Sequence, residues 1–137
     1  MEKPKKYAKT QAIFTIFFDS DFEPSVISKI LNVKASKIVL RKNAVKNFDN
    51  PKGYGYFRLS TNIAEDYVSE MAVTTLLRPF IKNEEQINKI TRENNGFCEL
   101  NLYVKQENNK PFPSITLSPN ALKLLGDLKA KYSVNII

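Results

Sequence analysis

Catalytic side chains are scarce in this chain. It has no histidine, which removes the imidazole base, the Ser-His and Cys-His nucleophile pairs and any His-rich metal site. Cys98 is the single thiol. In the alternating run from Phe97 to Lys105 it falls on the apolar side, where a thiol fills core space more often than it attacks. Asp19, Asp21 and Glu23 supply closely spaced carboxylates, enough oxygen for a hard cation. They lack the EF-hand glycine and twelfth-position glutamate, and acids just before a helix ordinarily serve its dipole. Lys52, Gly53 and Gly55 lie together without Walker spacing, its Lys-Ser/Thr pair or a following helix. The expectation is a protein that is not an enzyme, with no metal and no cofactor.

What remains is a chemistry of rings and cations. The stretch Lys52-Gly53-Tyr54-Gly55-Tyr56 matches the first five positions of the octapeptide with which RNA-recognition motifs stack bases on a third β-strand. Phe57 then stands where a small aliphatic residue is usual, and Leu59 where an aromatic is expected. Phe14, on the first strand, would be a further stacking ring beside Tyr54 and Tyr56, each stacked base being worth ~1–3 kcal/mol. Two features oppose this reading. The helical stretch between the third and fourth strands is longer than that fold needs, and a C-terminal strand-helix-strand segment must pack somewhere. The sheet face bearing Phe14 and Tyr54 is its natural place, because an uncovered aromatic sheet is a hazard in the free protein. Tyr54 and Tyr56 are then packing residues shielded by the tail.

Charge is unevenly distributed. Of the net +7, all the excess lies in residues 1–58, with twelve Lys/Arg against five Asp/Glu; residues 59–137 carry nine of each. Lys34, Lys37, Arg41, Lys42, Lys46, Lys52 and Arg58 form the candidate partner- or anion-binding set, with Asp49 the one acid among them. Such a patch attracts an acidic protein surface, nucleic acid or a phosphorylated small molecule; the bland alternative is a solvated, lysine-rich surface. No apolar run approaches the ~18 residues that span a bilayer, and the run from Ala12 to Phe18, ended by Asp19 and Asp21, is no signal peptide. One cysteine excludes an internal disulfide and fits a reducing compartment. A cytoplasmic protein with no membrane partner is expected.

The elements that must position these groups follow from periodicity. After a basic tail, 1–7, residues 8–137 read as a single α+β domain. Residues 8–18 alternate as a strand, with Ala12, Phe14, Ile16 and Phe18 on one face and Ile13, Thr15 and Phe17 on the other. Apolar residues on both faces predict a central strand covered on both sides. A helix opens at Pro24 with an apolar stripe of Val26, Ile27, Ile30 and Leu31. Ser36–Asn43 reads as a second strand, and the Lys52–Ser60 stretch as the third. Asn62 and Glu65 have capping-box spacing, and Tyr67, Val68 and Met71 continue that helix until Pro79 breaks it. Asn83 and Gln86 would cap a further helix carrying Ile87 and Ile90. Residues 97–105 form the cleanest strand, with Cys98, Leu100, Leu102 and Val104 inward and Glu99, Asn101, Tyr103 and Lys105 outward. Ile115–Leu117 reads as a short strand, Ser118 as a cap before Pro119, and Leu122, Leu125 and Leu128 as the inward stripe of the last helix. Val134–Ile137 completes a right-handed βαβ unit. The order predicts a two-layer domain, a ferredoxin-like βαββαβ core with an added C-terminal βαβ unit. A homo-oligomer is compatible with this order, which does not decide whether Ser133–Ile137 pairs across a dimer.

Three stretches, taken in order, resemble the bacterial family catalogued as domain of unknown function 4279. They are the acidic turn, proline and Ile-Ser helix of Phe18–Ile38, the aromatic third strand Gly53–Ser60, and the terminal Pro113–Ile137 with its Ser-Pro-capped leucine helix. Phe57 replaces the family's usual tryptophan, and Ala35 a frequent proline. The resemblance implies an α+β domain without an assigned activity and carries no functional residues. It also implies the company of toxin systems, hence an immunity-like or toxin-associated binding module with an acidic protein partner. Binding of nucleic acid or a nucleotide is the alternative.

Overall fold

The computed structural model describes residues 8–61, 69–105, 107, 110 and 115–137, with backbone alone for 69–72. Five strands, β1 (Lys9–Phe18), β2 (Lys37–Val39), β3 (Gly55–Ser60), β4 (Phe97–Lys105) and β5 (Lys131–Ile136), form one mixed sheet in the order β2-β3-β1-β4-β5. Every neighbouring pair is antiparallel except β4 and β5. The described helices are α1 (Ser25–Leu31), α2 (Ser69–Leu77), α3 (Glu84–Glu93) and α4 (Pro119–Asp127), with one-turn 3-10 helices at Arg41–Asn43 and Arg78–Phe80. None is long and apolar enough to cross a membrane.

One face of the sheet carries the core. Phe14, Ile16, Phe18, Phe57 and Leu100 are fully buried against Ile27 of α1, Val73 and Leu77 of α2, Ile87 of α3 and Leu124 and Leu125 of α4. Phe14 meets Phe80 edge-on, ring centroids 4.9 Å apart. Each such side chain stabilises the fold by ~1.5–3 kcal/mol through removal from water.

Local chemistry sets the element ends. At α4 the Ser118 hydroxyl accepts a hydrogen bond from the Ala121 amide at 3.1 Å, and Pro119 occupies the first turn. Pro79 ends α2 in a 3-10 turn. At the end of α3, Asn95 adopts φ 49° and the Gly96 amide donates to Thr91 O at 2.7 Å. A Cβ on Gly96 would lie 2.5 Å from Phe17 O, so only glycine lets this turn press against β1.

Several expectations need correction. β1 is central, yet the described helices cover only one of its faces. The second strand is three residues long, because the chain turns into the 3-10 helix at Arg41. Ile115–Leu117 is not a strand: β5 occupies the edge of β4 that it would need, and the βαβ unit is β4-α4-β5. The inward stripe of α4 is Ala121, Leu124 and Leu125, continued by Leu128 just past its end, while Leu122 is exposed. In α1, Ile27 and Leu31 are buried and Val26 is exposed. Asn83 precedes α3 without a side-chain cap; its amide donates to Pro79 O at 2.9 Å instead. The capping box at Asn62 and Glu65, and Tyr67 and Val68 after it, lie outside the described residues; of Met71 only the backbone is described.

Candidate binding face of the sheet

Strand alternation places Gln11, Ile13, Thr15 and Phe17 of β1 on the side opposite the helices. Register brings Tyr56 beside Phe17, Arg58 beside Thr15, and Lys37 beside Arg58. From β4 and β5 the same side receives Phe97, Glu99, Asn101 and Tyr103, with Lys131 opposite Glu99.

At one end four rings form a nest. Phe17 stacks on Phe97 at 4.9 Å and meets Tyr54 and Tyr56 edge-on at 6.3 and 5.8 Å; Tyr54 meets Phe97 at 5.6 Å. Phe17 is 4% exposed although none of the described helices covers it; the neighbouring rings pack against it. Cations cap the nest. The Arg58 guanidinium carbon lies 4.5 Å from the Tyr56 ring centre, with Lys37 at 5.9 Å, and Lys131 lies 5.0 Å from that of Phe97. Arg58 is fixed further by donating from Nε to the Thr15 hydroxyl at 3.1 Å.

Beside the nest runs a cleft of about 520 Å³, floored by Gln11, Thr15, Arg58, Asn101 and Tyr103 and flanked by Phe48 and Asp49 on one side and Ser133 and Asn135 on the other. Its floor is ordered before any ligand arrives. Asn101 donates to Glu99 Oε1 at 3.0 Å and accepts from the Ser133 hydroxyl and from Asn135 at 3.4 Å. The Tyr103 phenol is pushed above its ordinary pKa, first by burial, then by Asp49 and Glu99, with Arg58 pulling the other way. The loop carrying Phe48 is closed at its base by Asn50, which donates to Tyr54 O at 2.8 Å and accepts from the Tyr54 amide at 2.9 Å. Phe48 itself is 98% exposed.

The predicted stacking trio separates. Phe14 is fully buried among the helices, on the face opposite Tyr56; one strand position decides the side. Tyr56 is 8% exposed and Tyr54 half-buried, but other rings and Arg58 shield them, not the C-terminal segment, which adds β5 to the sheet edge and α4 to the helix layer. Of the candidate cations, Lys37 and Arg58 reach this face. Arg41 pairs with Asp19 at 3.0 Å, which answers one of the three carboxylates considered for a metal. Glu23 accepts from the Ser25 amide at 3.4 Å, and no cluster of potential metal ligands occurs among the described residues. Lys34, Lys42, Lys46 and Lys52 are exposed on the loops flanking β2 and β3. Lys131, Phe17, Phe97, Asn101 and Tyr103 join this face from outside the sequence-derived candidate set. Alternation alone puts Asn101 and Tyr103 outward, but only the β4–β5 register adds Lys131.

A second hollow, about 290 Å³ between α2, α3 and α4, is rimmed by Arg78 and Lys123 with Glu84 and Asp127 and so has no dominant sign. Cys98 lies buried on the core side, its thiol pushed up to about 12 by burial.

The fold and this face define an α+β domain with a mixed sheet, one side packed under helices and the other left open by the described elements. A family model described as "Domain of unknown function (DUF4279)" matches residues 8–137, essentially the whole chain, and the chain belongs to that family. No curated protein and no solved structure gives a significant match.

Proposed function

We propose that the protein is a non-catalytic binding module that receives an acidic protein partner on the open face of its sheet, in an immunity-like or toxin-associated role. The observation that carries this reading is the trio Lys37, Arg58 and Lys131 held over aromatic rings on a face that none of the described helices covers. Lys42, Lys46 and Lys52, exposed on the segments next to β2 and β3, add to the positive field that draws an acidic surface in. We also read β2-β3-β1-β4, each strand antiparallel to the next, as a ferredoxin-like βαββαβ sheet that β5 extends. The nucleic-acid alternative has less to stand on. Stacking needs bare ring faces. Arg58 lies over Tyr56, the faces of Phe97 are taken by Phe17 and Lys131, and Phe14 is in the core, which leaves Tyr54.

The test is fluorescence anisotropy with labelled poly-L-glutamate and labelled oligothymidylate across a salt series. Poly-L-glutamate should bind the wild type, weaken steeply with salt, and lose about tenfold in the triple variant Lys37→Ala/Arg58→Ala/Lys131→Ala, as ~0.5 kcal/mol per exposed cation implies. Binding that ignores the triple variant removes the reading. Tighter oligothymidylate binding, abolished in Tyr54→Ala, replaces it with a nucleic-acid partner.

A further inference from the structure

The two edges of the sheet are built differently. β2 is three residues long, carries Lys37 and leaves the sheet in a 3-10 turn, which are ordinary protections against edge pairing. β5 is six residues, Lys131-Tyr132-Ser133-Val134-Asn135-Ile136, with no proline and a single charge at its start. Its inner side bonds β4: the Ile137 amide donates to Val104 O at 2.9 Å. In a strand the N–H and C=O of one residue point the same way, and successive residues alternate. The odd-numbered residues of β5 therefore face β4, and Tyr132, Val134 and Ile136 turn theirs outward. Their side chains lie opposite Leu100, Leu102 and Val104 on the core side, yet remain 41%, 37% and 58% exposed. An apolar stripe and a row of free backbone groups thus coincide on three residues.

We propose that this edge pairs antiparallel with β5 of a second copy, with Val134 opposite its own equivalent. In that register Tyr132 stands opposite Ile136 of the other copy, so every outward-facing residue of the strand exchanges both hydrogen bonds. Aromatic–aliphatic and aliphatic pairs then join the two stripes across the interface. Sliding by two residues would set Ile136 opposite Ala130, outside the strand. The register also keeps Lys131 from its own copy, placing it opposite Ile137. A second copy is the occupant because the stripe has no charge with which to select an acidic partner, and because it is complementary to itself about Val134. The two-fold axis runs perpendicular to the sheet, so both open faces lie on one side of a continuous ten-stranded sheet; twofold pairing closes the assembly.

Six paired residues make a small interface, so the dimer should form in the micromolar range. Sedimentation velocity from ~1 to ~300 μM on the wild type, Val134→Lys, Val134→Glu and an equimolar mixture of the two variants tests it. Circular dichroism checks folding, and Ile136→Lys serves if a Val134 variant does not fold. The wild type should dimerise with rising concentration and each variant should stay monomeric, since like charges would meet at the axis. The mixture should dimerise again, because lysine then faces glutamate only in this register. A monomeric wild type at every concentration, or folded single variants that still dimerise, overturns the proposal, as does a mixture that stays monomeric.

Discussion

On the helix side of β1, Phe14 is fully buried, and its ring meets Phe80; one residue on, Thr15 turns to the other side and accepts a hydrogen bond from Arg58. Phe18 and Phe17 repeat the contrast. Both are nearly inaccessible, but Phe18 lies in the layered core while Phe17 is hidden by the other three rings of a nest whose outer surface is cationic. Similar burial therefore describes two physical situations. Under the helices, removing a ring leaves a void that packed neighbours cannot fill. On the open side, water can enter.

That difference predicts the largest effect. Phe14→Ala should destabilise the domain by ~3–5 kcal/mol, the transfer and cavity terms together. Phe17→Ala should cost ~1.5–3 kcal/mol, the transfer term with no lasting cavity. Urea unfolding of the two variants measures both. Equal losses would mean that the open face is a second core, and the binding reading would lose its surface.

Titration sharpens the same contrast. Cys98 faces the helices, and burial raises its thiol from an ordinary 9.0 to about 12. The folded state prefers the neutral thiol, so this contribution is complete below pH 9 and is lost as pH climbs toward 12. Cys98→Ala should flatten the alkaline fall in stability relative to wild type. Native protein at pH 9 should react with iodoacetamide only as fast as it unfolds, whereas denaturant should make the thiol react at once. Fast native labelling would place the thiol at a surface.

Much of the covered side was legible in the sequence, because alternation and capping act locally. Residues 97–105 behave as their pattern required, and Ser118 caps as its neighbours demanded. The open side was legible only in part. Which of Phe14 and Phe17 would join Tyr56 depends on pairing between distant strands, and a shift of one residue reverses it. Two apolar sides of β1 suggested two covering layers, but rings packed on one another and roofed by Arg58 hide apolar area without a layer. Ile115–Leu117 misled for a related reason: a short apolar run between turn residues becomes a strand only when a sheet edge is free. The family match was legible because it rests on capping and packing patterns, which carry no chemistry.

The smallest expected change in stability lies at the margin of the open side. Phe48 is 98% exposed on the loop that Asn50 closes, and it borders the cleft without joining the nest. Phe48→Ala should therefore alter stability by no more than ~0.5 kcal/mol, as ordinary surface substitutions do. A phenylalanine this bare adds little to the fold, and the proposed partner would meet it at the cleft it lines with Arg58 and Asp49. Poly-L-glutamate carries no apolar anchor, so its affinity should not respond to Phe48→Ala. A partner segment with an aromatic or aliphatic residue among its acids should bind the wild type more tightly than the variant. Glutamate-rich peptides with and without a central leucine, titrated against both proteins, separate these cases. If leucine adds nothing to wild-type affinity, the loop is a bystander and the open face recognises charge alone.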